Sequence, residues 1–347
     1  MNKILLSILF FTSFFSSNAQ CYESLNFGGG HTIGKTTNGF LWGWGYGLAG
    51  QLFTTNETEP NPIQVGTAND WNKVYNGVIN TFAIKNNGTL WGCGSNQHGS
   101  LGVNSSTQNF TSFQQITIAT NWVKVAPSYF HTIALKADGT IWGWGLNNNY
   151  QTGNTPASLN QPIPLQIGTD TDWVEIATGT NDISFAIKSN GTIWGWGANP
   201  SSIIVSGSGT TTVSTPTQVG TGNDWVKMSV GAQHILAQKQ DGTLWSWGGG
   251  EELGIGGTPS ITNIPQQIST DIWKFFSAGS NTSFGIKNDG TLWAWGRNNN
   301  GQLGLGHTNH PVTIPEQVGT DTNWDTVQAR NFITTMATKT DGSVWYW

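Results

Sequence analysis

Six histidines, two cysteines and a few closely spaced aspartates set the chemistry open to this 347-residue chain. His31, His131 and His234 share one position of a repeating pattern, where other copies carry Asn80, Ile183, Thr282 and Thr334. A slot that accepts such different side chains reads as structural. His98, His307 and His310 fall in loops, and His307-Thr-Asn-His310 offers two imidazoles with no third ligand at a motif spacing, so no metal site is expected. Asp170 and Asp172 alternate in Gly168-Thr-Asp-Thr-Asp-Trp173 as calcium ligands do. The equivalent loops Gly66-Thr-Ala-Asn-Asp-Trp71 and Gly220-Thr-Gly-Asn-Asp-Trp225 favour a recurrent Asx-type turn instead. Cys93 stands where most copies have a tryptophan, and Cys21 is placed at the opening aromatic position of its copy. Both read as apolar substitutes, and a bridge between them stays open. With no nucleophile beside a base, no paired-carboxylate motif and no phosphate loop, the chain is expected to be neither an enzyme nor a cofactor carrier.

The element that would carry such residues is a phrase repeated seven times. It runs from Gly39-Phe-Leu-Trp-Gly-Trp-Gly45 through Gly139-Thr-Ile-Trp-Gly-Trp-Gly145 to Gly342-Ser-Val-Trp-Tyr-Trp347. Its first tryptophans, Trp42, Trp91, Trp142, Trp194, Trp245, Trp293 and Trp345, are separated by 49, 51, 52, 51, 48 and 52 residues. A period near 50 signals a repeat architecture. Together with the second tryptophans Trp44, Trp144, Trp196, Trp247 and Trp295, these are assigned to packing, because they recur at strand positions in every copy.

Each copy opens on an aromatic with an apolar residue three positions on, as in Trp71 with Val74. A second strand such as Asn80-Thr-Phe-Ala-Ile-Lys85 follows and ends at Asn-Gly or Asp-Gly, which predicts a type I′ hairpin into the tryptophan strand. Within that third strand, alternation puts Trp142 and Trp144 on one face and Gly143 on the other. The bare face is expected to receive the aromatics of the next copy. The small residue of the second strand, Gly34 or Ala83, is expected to relieve crowding near an axis. A return segment led by proline, such as Pro62-Ile-Gln-Val65, suits an edge strand. Three to four short strands per copy, seven times, predict an all-β, seven-bladed β-propeller whose last blade, stopping at Trp347, is incomplete.

Lys3, the apolar run 4–15 and the small polar stretch to Ala19 read as a secretory signal peptide, leaving residues 20–347 as one propeller domain. The run is too short for a membrane span. The full chain has 14 Lys and Arg against 19 Asp and Glu, a formal charge of −5, without a basic cluster. A nucleic-acid partner is therefore not expected.

The opening tryptophan, His31-Thr32 and His131-Thr132, the Asp-Gly-Thr-Leu-Trp phrase and Gly301-Gln-Leu-Gly304 together resemble the regulator of chromosome condensation repeat family over the whole mature chain. That resemblance implies a seven-bladed propeller. The family's founder is a guanine nucleotide exchange factor that uses a wedge-like insertion from one blade, and no insertion interrupts the spacing here. A secreted bacterial relative inhibits β-lactamases through one propeller face, the nearest match to the expected compartment. The expectation is therefore a bacterial, secreted or cell-surface, non-catalytic scaffold that binds an extracellular or surface protein, with enzyme inhibition as one version. The alternatives are a lectin for polysaccharide, using Tyr46, Tyr129 and Tyr150, and an enzyme with carboxylates converging at a channel mouth. The irregular loop of the fourth copy, residues 198–213, places Ile203, Ile204 and Val205 as the partner contact.

Overall fold

The computed structural model describes residues 21–155, 159–205, 210–257, 261–330 and 334–347. The expected signal peptide lies outside the described residues. Each copy folds where its sequence alternates. In the second copy, strands Trp71–Asn76, Asn80–Lys85, Leu90–Ser95 and Asn109–Gln115 pair antiparallel in chain order. The first, third and fourth copies do the same. A seven-stranded sheet follows, because the 17-residue strand Thr262–Ala278 pairs with Thr243–Gly248 through its first part and with Thr282–Lys287 through its second. A three-stranded sheet of Trp324–Ala329, Thr335–Lys339 and Val344–Tyr346 comes last. The described chain is thus an all-β propeller of six sheets, one continuous where two separate ones were expected.

The hairpins differ from expectation in a small way that explains their sequence. Only the glycine has positive φ, 77° at Gly88, while Gly88 N donates to Lys85 O (2.9 Å) and Lys85 N to Thr89 O (3.0 Å). This is a three-residue loop with a glycine bulge rather than a type I′ turn. Asn87 Oδ1 accepts from Thr89 N and from Thr89 Oγ1 (3.1 and 2.7 Å), and Trp91 Nε1 donates to that hydroxyl (2.9 Å). The Asp-Gly-Thr-Leu-Trp phrase is therefore one hydrogen-bonded unit, repeated at Asp138, Asp241 and Asp289.

Register also corrects the first copy. Tyr22 pairs with Thr36 as Trp71 pairs with Lys85, so Tyr22, not Cys21, fills the opening aromatic place. Cys21 is exposed and Cys93 buried, and both are free. The crowding assignments shift as well. A side chain on Gly285 would run into the ring of Trp273 in its own copy, so the small second-strand residue makes room for the opening aromatic rather than for the axis. Likewise the third-strand Gly195 is crowded by Phe185 and Ile204 of its own copy. The large-on-small contact between copies lies elsewhere. Trp144, Trp196 and Trp295, fully buried, sit on the loop glycines Gly102, Gly153 and Gly254 of the preceding copy.

The sheets stand around an axis, with the strand opening each copy innermost. These inner strands line a cavity of about 270 Å³ to which Tyr75, Glu175, Ser229, Phe276 and Gln328 contribute. First and last sheets meet through Gln328, with Phe27 N donating to Gln328 Oε1 and Gln328 Nε2 to Leu25 O, both 2.9 Å, and through the rings of Phe27 and Tyr346, edge-on at 6.4 Å.

Candidate binding face

In a four-stranded copy two connections reach the same face: the one between inner and second strands, and the longer one between third and outer strands. The ring contact of His98, from the longer connection of the second copy, with Phe130, from the shorter connection of the third, shows this directly (5.1 Å between centroids).

The three repeat histidines hold that face together from beneath. His31 Nε2 bonds Thr81 Oγ1 (3.0 Å), His131 Nε2 bonds Ser184 Oγ (3.0 Å) and His234 Nε2 bonds Ser283 Oγ (2.9 Å), always in the next copy. Each hydroxyl donates onward to a loop carbonyl, Gln51 O, Gln151 O or Glu252 O. The hydroxyl proton is therefore committed, and the imidazole donates through Nε2. The tryptophan of the next copy bonds the same carbonyl at Gln151 (Trp196, 3.2 Å) and at Glu252 (Trp295, 2.8 Å), and Cys93 Sγ replaces it at Gln51 (3.7 Å). Burial pushes all three imidazoles down to about 3, with the nearby positive charge of Arg330 adding to the effect at His31. They are neutral and positional.

On the opposite face a lysine position escaped the sequence reading, although it recurs just before the turn in six copies. Lys85, Lys136, Lys188, Lys239, Lys287 and Lys339 each lie over both the opening tryptophan and the hairpin tryptophan of their copy. For Lys188 the centroids of Trp173 and Trp194 are 4.8 and 4.9 Å away. The alternating aspartates expected of a weak calcium loop are engaged there: Lys188 Nζ lies 2.7 Å from Asp170 and 3.1 Å from Asp172. Hairpin tryptophans Trp91, Trp142, Trp194, Trp245 and Trp293 are half-buried under these lysines; Trp42 and Trp44 of the first copy, which carries Thr36 at the lysine position, are half-buried too. Trp247 is fully buried, and Trp345 is 47% exposed.

The expected partner contact is corrected. Ile203 and Ile204 are buried and Val205 is half-buried against the same cluster, with Ile183, Phe185 and Trp247. The segment supplies core in place of the leucine that other loops supply, such as Leu52 and Leu101, and Ile203 O accepts from Trp247 Nε1 (3.0 Å). Residues 206–209 of that loop lie outside the described residues.

What the face does present is aromatic. Tyr129, 39% exposed, stacks edge-on against Phe130 (4.3 Å), which contacts His98, whose Nδ1 bonds Asn160 (2.9 Å). Of the other tyrosines weighed for sugar binding, Tyr46 and Tyr150 are half-buried. His307 pairs with Glu316 (3.1 Å) and His310 with Glu251 (3.5 Å). Among the described residues no three His, Cys, Asp or Glu side chains converge as metal ligands, and no helix is long and apolar enough to cross a membrane.

Residues 138–187 and 289–330 match the family model described as the regulator of chromosome condensation (RCC1) repeat, and a second model of that description matches residues 122–151 and 273–302. The chain is 26% identical over 265 residues to RCC1 domain-containing protein RUG3, mitochondrial, of Arabidopsis thaliana, covering 70% of this chain and 57% of that one. It thus spans little more than half the length of that relative. Human WBSCR16 superposes with a TM-score of 0.79 at 20% identity, covering 90% of this chain and 85% of that one. Prp20p of Saccharomyces cerevisiae does so with 0.75 at 21%, covering 89% and 80%.

Proposed function

Because this chain carries regulator of chromosome condensation repeats on an all-β propeller, we propose that it is a non-catalytic scaffold that binds a protein partner through its loop face. We further read the six sheets as seven blades, two of them joined by the long strand Thr262–Ala278. The observation that carries the binding reading is the cluster of exposed Tyr129 with half-buried Phe130 and His98, on loops anchored to neighbouring copies by the His131 and Trp144 hydrogen bonds. Tyrosine on a pre-ordered surface supplies contact area at little entropic cost. Prp20p, of the same fold, is described as binding Gsp1p and histones, which supports protein binding as a use of this frame. The leader-like residues 1–19 support a secreted or cell-surface address.

The test compares capture of extracellular and surface proteins by the parent chain and by a Tyr129→Ala/His98→Ala variant of matched thermal stability. Proteins held by the parent and lost by the variant support the reading. Equal capture by both refutes it. The same exposed ring suits stacking on a sugar, so retention of polysaccharide with no protein would transfer the face to a lectin.

A further inference from the structure

The inner strands end in a ring of small residues. Gly28, Gly77, Ser128, Gly179, Gly231 and Gly279 each follow the last residue of an inner strand, and Arg330 takes the corresponding seventh place. The ring is tight at its wall: a side chain on Gly28 would come within 2.6 Å of Gly77 O, and one on Gly231 within 2.6 Å of Gly279 O. Six small residues leave the lumen open to the one long side chain. Arg330 uses that space, and its Nη1 donates 3.0 Å to Pro127 O, 203 positions earlier in the chain and in the third copy.

A guanidinium carries five N–H donors. One of its nitrogens is engaged in this way, and among the described residues no carboxylate pairs with it. The ion pair of Lys124 with Glu175 lines the same cavity, earlier on the inner strands, and is self-contained. Thr180, next to the ring, lines the same cavity and keeps a buried hydroxyl without a partner. The Arg330 charge also reaches His31, where it disfavours protonation. A cation drawn out of bulk water without a counter-charge is costly, and a guanidinium that spends one nitrogen on a carbonyl among the described residues, in a cavity that also holds a spare hydroxyl, has donors left to meet two coplanar oxygens.

We propose that this end of the channel is a carboxylate-binding site, with Arg330 as the forked ligand and the Thr180 hydroxyl as a further donor. Its ligands, Arg330 and Thr180, are not members of the aromatic cluster, whose Tyr129 follows the bonded Pro127 by two positions, and the proposal does not depend on that cluster. A single guanidinium matches the single charge of a carboxylate better than the charge of a phosphate dianion, and the overall charge of −5 adds no wider attraction for polyanions. The carboxylate has two sources, a small free acid or an acidic side chain presented by a bound protein.

The experiment follows the Arg330 Nε–H resonance by nitrogen-15 NMR at constant ionic strength. Acetate is titrated in one arm, acetyl-Gly-Glu-Gly-amide in the second and chloride in the third. The proposal expects a saturable shift with a carboxylate and none with chloride. It expects carboxylate binding, followed on neighbouring backbone amides, to weaken at least tenfold in Arg330→Gln and several-fold in Thr180→Val. Tighter binding of the peptide assigns the site to an acidic side chain, and equal binding assigns it to a free acid. A linear response to all three salts, or binding unchanged in Arg330→Gln, overturns it. Urea unfolding adds an independent reading: the midpoint of Arg330→Gln is expected at or above the parent's, since an unpaired cation is removed, and a large fall would mark a purely structural arginine.

Discussion

Ser184 holds two hydrogen bonds that cross between copies, accepting from His131 Nε2 (3.0 Å) and donating to Gln151 O (2.8 Å). Changing Ser184→Ile orphans the buried imidazole N–H, at about 1–3 kcal/mol, and removes one of two bonds to Gln151 O, at about 1 kcal/mol, so a loss of about 3 kcal/mol is expected. His131→Ile leaves Ser184 bonded to the carbonyl and is expected to cost about 1 kcal/mol, chiefly in shape. The chain itself contains the double replacement: at the fourth-to-fifth junction the two places are Ile183 and Ile235, both buried in one cluster. The double variant is therefore expected to cost only about 1 kcal/mol, a coupling of about 3 kcal/mol in urea denaturation. The cycle also has a pH signature. Each folded imidazole, at about 3, refuses a proton that the unfolded one accepts near 6.5, so stability is complete above pH 6.5 and declines as pH falls towards 3. Between pH 7 and 5 this amounts to about 2 kcal/mol per histidine, and the double variant should lose about a third of the three-histidine total. Additive single costs, or an acid response unchanged in the double variant, would refute the reasoning.

Lys188→Met should destabilise by about 1–2 kcal/mol, and more than Lys136→Met, because Lys188 also pairs with Asp170 and Asp172; urea midpoints at low and high salt check both the size and the screening. Gly139→Ala should cost at least 1–2 kcal/mol, since φ is 78° and the new methyl would meet Thr171 O; thermal unfolding reads it, and a neutral result contradicts the turn assignment. Glu252 occupies the buried place held by Gln51, Gln151 and Gln302 in other copies, and burial pushes its carboxyl up. Glu252→Gln should therefore stabilise by about 1 kcal/mol at pH 7, a gain that vanishes as acid protonates the parent carboxyl; unfolding at pH 7 and 4 compares them.

The repeat phrase made the strands legible, because its alternation and its turn glycines act locally. The edge role of Pro62 followed in the same way: its segment, Thr58–Gln64, is an outer strand. What escaped the sequence was contact between copies. Trp196 and Gln151 are 45 positions apart, and nothing in either local pattern says that the indole of one copy bonds the loop of the previous one. The binding triplet failed for a related reason. Residues 198–213 look irregular, yet Ile203 and Ile204 fill the core slot that leucine fills elsewhere, so departure from the pattern was taken for exposure. Arg330 was invisible because a lone arginine at a strand end acquires meaning only once six small residues surround it.

Photo-crosslinking tests the loop-face claim most directly. Tyr129→p-benzoylphenylalanine places the probe on the loop face, and Asp138→p-benzoylphenylalanine places it on the hairpin face of the same copy. Crosslinks to a protein from position 129 and none from position 138 are predicted in extracellular extract. Crosslinks from position 138 alone, or equal yield from both, would contradict the account.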